Sequence, residues 1–251
     1  MLDALLKGKV SSQVLNMEDV VVSSVFGLMR LLPAEVGLAP FLGAAVFSDD
    51  GSPLLASDAC IEDVTYEFWP WIAAADCKGC EPDLLLRMRL SGGVKVLLGI
   101  EAKLWSGKSS IADDEIEAPI DQLAREWDNL TYAAEAEPNG GADARLLYIT
   151  SDIAMPVDEI LDSERKFSEK RKEKGRPNFR CAWVSWRNLI PLFRGVPTSL
   201  SNLALLADKL DLRYFHGISD PGIAAPLWRS ERRWRFVIEG CALPLWHYDK
   251  Q

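Results

Sequence analysis

Two periodicities of apolar and polar residues alternate along this chain, and the switches between them lay out its elements. Glu18, Val22, Val25, Met29 and Leu32 recur at helical spacing, after Asn16 in a capping position with Asp19 three residues on, and Pro33 ends that helix. A second apolar helix is predicted over 35–47, followed by the turn-rich stretch Asp49-Asp-Gly-Ser-Pro53. Residues 64–71 are rich in β-branched and aromatic side chains and read as a strand. Next come two apolar runs, 82–90 and 94–104, joined by Ser91-Gly92-Gly93, which is a hairpin signal. A helix over 119–135 carries the stripe Ile116, Ile120, Leu123, Trp127, Leu130, Ala134. Beyond Asn139-Gly-Gly141 the pattern gives a strand at 145–150, a charged helix at 157–174 and a strand at 179–185. Helices at 186–193 and 199–210 and a strand at 234–239 complete it. This order puts helices against a mixed β-sheet, an α/β or α+β arrangement. No linker divides the 251 residues, so the expectation is one domain, with a core over about 17–185 and helical and strand additions over 186–251.

Composition narrows the picture. With 48% hydrophobic and 26% charged residues the chain has ordinary globular usage. The longest apolar run, Val36 to Phe47, is broken by Gly37, Pro40 and Gly43 and falls short of the ~18 residues a membrane span needs. Residues 1–7 lack the basic and apolar regions of a secretory leader, so the reading is cytoplasmic with no membrane partner. Five cysteines form no secreted disulfide framework. Cys77 and Cys80 make one C-x-x-C, but the only histidines, His216 and His247, are distant, so the pair reads as loop thiols rather than a zinc site. A net charge of −9 argues against a large nonspecific nucleic-acid surface. The basic stretch 165–180 is the local exception, and a solvated helix face explains it equally well.

The hairpin carries the chemistry. If it is symmetric about Gly92, Asp83 lies opposite Glu101, each nine positions from the tip. Opposed residues of an antiparallel pair sit about 4.5–5.5 Å apart and share a face. Alternation then gives Lys103 the face of Glu101 and turns Ala102 into the core. Leu84, Leu85, Leu86, Val96, Leu97, Leu98 and Ile100 make the ribbon nearly continuously apolar, which implies burial on both faces. Two carboxylates and an amine inside such a ribbon need a reason. A divalent cation supplies one, because Mg²⁺ takes carboxylate oxygens while keeping waters for a phosphate.

Pro82-Asp83 followed, after 17 intervening residues, by Glu101-Ala102-Lys103 resembles the P-D-(x)n-E-x-K signature of the PD-(D/E)XK, restriction-endonuclease-like nucleases. The order helix, three-stranded meander, helix, strand over about Met17 to Ser185 is similar to that superfamily's core. The resemblance implies an Mg²⁺- or Mn²⁺-dependent hydrolase of DNA phosphodiesters. In that reading Asp83, Glu101 and Ala102 hold the metal, and Lys103 assists the attacking water. Many members carry an acid on the first core helix, where Glu18 stands, and some a glutamine on the helix after the E-x-K strand, where Gln122 stands. In the exonuclease-like branch a tyrosine follows four residues later; Glu126 occupies that position here. Glu18-Asp19-Val20 with Phe26-Gly27, Thr150-Ser151-Asp152, Trp183-Val184-Ser185-Trp186 and Phe215-His216-Gly217 also resembles a bacterial branch found beside phage-defence genes. That likeness implies a homodimer or a subunit of a larger defence complex.

Gly107-Lys108-Ser109 invites a P-loop reading, but the motif needs glycine where Ala102 stands. Lys108 is instead a candidate phosphate contact. No G-x-S-x-G or G-x-G-x-x-G occurs, and two histidines leave little for a hydrolase triad. The rival to an active nuclease is a subunit of the same fold that binds DNA or partner proteins without cutting.

Overall fold

The structure, a computed structural model, describes residues 6–7, 9, 17–73, 78–105, 121–138, 140–171, 177–194, 196 and 199–212, and two short strands at 235–237 and 245–247. The chain forms two compact units, Met1–Tyr214 and Phe215–Gln251. In the second, Arg235–Val237 pairs antiparallel with Leu245–His247. The first is α/β, a six-stranded mixed sheet flanked by helices.

Helix α1 (Glu18–Met29) opens with Glu18 and Asp19 in its first turn, where the helix dipole favours negative charge, and buries Val21, Val22, Val25, Phe26 and Met29. Met17, without a side-chain bond, occupies its cap position; Asn16 lies outside the described residues. The apolar run 35–47 does not form one helix. It divides into α2 (Leu38–Gly43) and β1 (Val46–Phe47), and β1 pairs antiparallel with the last strand of the sheet. An all-apolar run has no polar face to hold it helical, and Gly43 gives a stopping point.

Strand β2 (Ile61–Phe68) begins three residues earlier than the pattern predicts and stops where Trp69 takes φ 49° before Pro70. It pairs antiparallel with β3 (Leu84–Leu90), which pairs antiparallel with β4 (Lys95–Ala102). The β3–β4 turn needs its glycines: Gly92 and Gly93 sit at φ 80° and 79°, which costs a residue with a Cβ. Leu84 lies opposite Ile100 and Leu86 opposite Leu98, the register symmetric about Gly92.

From β4 the chain crosses through α3 (Gln122–Glu135) to β5 (Asp143–Thr150), parallel to β4, then through α4 (Val157–Arg171) to β6 (Cys181–Ser185), parallel to β5. Side chains alternate to two cores. Leu84, Leu86, Val96, Leu98 and Ile100 pack with α1, α2 and the C-terminal helices α5 (Leu189–Phe193) and α6 (Ser201–Lys209). Leu85, Leu97, Leu146 and Tyr148 pack with Leu123, Trp127, Leu130 and Ala134 of α3 and with Ile160 and Phe167 of α4. Both faces of β4 are therefore covered, as its apolar run requires, and so is β3 from Leu84 to Leu86, while Arg87 and Arg89 leave one face of its far half open. Residues 186–212 thus supply part of the main core, not a separate layer. A Cβ at Gly99 would meet Leu130 at 3.2 Å, so this glycine lets α3 lie close over β4. That approach sets the site, because Glu101 is the next residue on the same face and Glu126 lies one turn before Leu130.

Candidate functional site

Asp83 sits one position ahead of β3, and the β3–β4 register carries it opposite Glu101. Its backbone accepts a bond from Trp69 N (3.1 Å), and its Oδ2 accepts one from Ala102 N (2.8 Å). The residue is thus tied to both neighbouring strands, by its carbonyl on the β2 side and by its carboxylate to the end of β4. Glu101, on β4, is only 2% exposed. Its Oε1 accepts from Lys103 Nζ at 2.6 Å and from Gln122 Nε2 at 2.5 Å. Asp121 caps α3 by accepting from Ala124 N (3.2 Å), which fixes the helix start next to Gln122. From the other core, Glu18 reaches over the sheet end: its Oε2 lies 3.4 Å from Lys103 Nζ and its Oε1 accepts from Leu104 N at 3.4 Å.

Glu18, Asp83, Glu101, Lys103 and Gln122 therefore converge on one end of the sheet. Ala102 contributes through its backbone: its methyl is fully buried among the residues of the α1 core, so only its carbonyl could serve a cation. Lys108 lies outside the described residues, as does Cys77; Cys80 is buried. Of the basic stretch, Arg165 and Lys166 pair with Asp162, and Arg180 pairs with Asp49 and Asp50. Arg171 is described only in its backbone, and 172–176 lie outside the described residues.

Sequence reasoning passed over Glu126 as a member of the site. It is buried on the face of α3 that carries Gln122 one turn earlier, and its carboxyl hydrogen-bonds with that of Glu101. Its Oε2 has no hydrogen-bond partner among the described residues. The signal lay in the spacing, because positions four apart on a helix share a face.

Electrostatics follow from this crowding. Burial, and then the charge of Glu101, push Asp83 up to about 7, against the pull of the Ala102 N–H and of Lys103. Burial raises Glu101 as well, opposed chiefly by Lys103. Glu126 is raised well above the usual carboxylate range by burial and by the charge of Glu101. Lys103 moves upward: burial disfavours its charge, but Glu101, Glu18 and Asp83 together outweigh that and keep it an ammonium. One cation thus stands among an excess of carboxyl groups inside the protein.

Among the described residues, no three His, Cys, Asp or Glu side chains are grouped to hold a metal ion. No described helix is long and apolar enough to cross a membrane. The chain matches no family model, no curated protein and no solved structure.

Proposed function

We propose that this protein is a metal-dependent nuclease of the restriction-endonuclease-like class, hydrolysing DNA phosphodiester bonds with Mg²⁺ or Mn²⁺. The observation that carries the reading is the placing of the half-buried Asp83 opposite the buried Glu101, beside Lys103. Burial resists ionisation of both acids, and their mutual repulsion adds to it. Such a pair is stabilised by a hard cation that accepts carboxylate oxygens and fills its remaining positions with water and phosphate. Two carboxylates and one backbone carbonyl match that donor set, and sulfur or imidazole ligands play no part in it. The order α1, the meander β2–β4, α3 and β5 also supports this fold class.

When bound, the metal supplies an acidified water and a Lewis acid for the phosphoryl oxygens. The protein's own groups do the rest. Among the described residues Lys103 is the one ammonium in the cluster, suited to orient a water and to offset charge developing on the phosphate. Gln122 and Lys103 together fix Glu101 through its Oε1, and Glu18 holds Lys103 from the far side. DNA as the substrate, and a place in a phage-defence dimer or complex, rest on the likeness of the motifs.

The test is cleavage of DNA in Mg²⁺ or Mn²⁺ by wild type, Asp83→Ala and Lys103→Ala. Each variant should lose at least ~10²-fold in rate, the order found when one transition-state donor is removed. A chain that binds DNA while wild type and both variants are equally inert is the non-cutting subunit instead.

A further inference from the structure

Beside Lys103 the sheet end opens into a cavity of about 440 Å³, walled by Lys103, Trp105, Tyr148, Ser151, Glu159 and Arg187. That size falls within the ~300–1,000 Å³ of pockets that enclose small ligands. Its walls come from the carboxyl ends of the three parallel strands and the residues just beyond them, where open α/β sheets bind ligands. Trp105 leaves 55% of its surface exposed although it shares this cavity wall with the largely buried Lys103. The polar wall is ordered: Arg187 Nε donates to Ser151 O at 2.7 Å, and the Tyr148 hydroxyl donates to Glu159 Oε2 at 3.0 Å.

We infer that this cavity takes one unpaired nucleotide of a DNA strand, its base on Trp105 and its phosphate toward Lys103. The identity of the phosphate as the scissile one rests on the nuclease reading above. Charge sets the orientation. Glu159 and Asp152 repel a phosphate but accept the N–H groups of a base, whereas Lys103, though held by Glu101 and Glu18, supplies a cation for the phosphate. The net charge of −9 selects the same substrate class. Gripping an intact duplex relies on many phosphate contacts from Lys and Arg, whereas stacking on an aromatic face depends less on charge and needs an unpaired base. The substrate is therefore single-stranded or frayed DNA, and a paired base cannot enter.

The test uses the full chain and one labelled oligonucleotide, either single-stranded or in a blunt duplex. Anisotropy in EDTA measures binding, and gel assays in Mn²⁺ measure cleavage. We expect the single strand to bind at least tenfold tighter. Trp105→Ala should erase most of that preference, roughly tenfold for one lost stack, and should act on KM more than on kcat, while Trp105→Phe keeps it. Equal binding of strand and duplex, or no change in strand binding with Trp105→Ala, overturns the inference even if the protein cuts DNA. Strand-selective, Trp105-dependent binding without cleavage in any divalent metal upholds the pocket and defeats the nuclease reading instead.

Discussion

The two ends of the central sheet treat charge in opposite ways. At the amino ends of β5 and β6, Arg180 lies with its guanidinium 3.7 Å over the Phe47 ring and pairs with Asp49 at 3.0 Å and Asp50 at 2.8 Å. Arg145 pairs there with Asp143 at 2.8 Å and also reaches the Leu54 carbonyl. These pairs are substantially open to water, with Arg180 38% and Asp50 52% exposed. That end has a cavity too, about 540 Å³ in volume, but its cations are matched by neighbouring acids. At the carboxyl ends, among the described residues, acids outnumber the cation they surround: Glu18, Asp83, Glu101 and Glu126 crowd around Lys103, with Glu101 and Glu126 buried and Glu18 and Asp83 partly so. Balanced charge at a wet surface adds little and asks for no ligand. An excess of buried acid destabilises the fold, and a protein keeps it where something else completes it. Cavity size alone points to the amino end, whereas crowded acid points to the carboxyl end.

Removing the acid least able to ionise tests this contrast most severely. Glu126 is fully enclosed, with one oxygen lacking a partner. Its folded-state affinity for a proton is raised, so the folded chain holds a proton that the unfolded chain releases above its ordinary value of 4.5. Stability therefore falls as pH rises from that value toward the folded one. Glu126→Gln does not titrate and keeps a donor for Glu101. It should stabilise the protein at pH 8 by up to roughly 3 kcal/mol, the scale of a buried unsatisfied polar group, and the gain should vanish below pH 4. Urea unfolding at the two pH values measures it. Destabilisation at pH 8 would mean that the carboxyl excess is structural.

What could be read in advance, and what could not, divides along the same physical line. The opposition of Asp83 and Glu101 was legible because two glycines mark the hairpin tip and strand periodicity is short and rigid. The stripe Leu123, Trp127, Leu130, Ala134 was legible for the same kind of reason. Glu126 was not, because an acid beside Trp127 looks like the edge of a solvated face until the closeness of α3 at Gly99 is known. The two-residue strand β1 was hidden as well: its extended form is imposed by pairing with β6 and has no periodicity of its own. Likewise, the joining of α5 and α6 to the α1 core depends on contacts far apart in the chain.

A smaller effect sharpens the contrast at Asp83. Its carboxyl stands at about 7 in the folded protein against 3.8 as the ordinary value, so the cost of ionising it in place accrues between those two pH values and is complete above 7. Asp83→Asn in EDTA should accordingly be more stable than wild type by about 1–2 kcal/mol at pH 8, less than the full shift implies because Glu101 titrates with it. The difference should close toward pH 4. Adding Mn²⁺ should reverse the ranking, since only wild type gains stability from the ion. A flat pH dependence would show that the pair is not strained.

The mildest change belongs to the opposite end. Arg180→Ala removes two half-exposed ion pairs and a guanidinium stacked on Phe47, interactions that water and salt already weaken. Thermal unfolding should shift down by no more than about 2–4 °C, the change that a small surface loss produces in a domain of this size. Cleavage should stay within about twofold of wild type, because no step of the proposed chemistry passes through that face. The added salt that weakens Arg180 should narrow even this difference, whereas the effect of Lys103→Ala should persist, its partner Glu101 being 2% exposed. Should Arg180→Ala cut activity as deeply as Lys103→Ala does, the division of the sheet into a working end and a structural end would be lost.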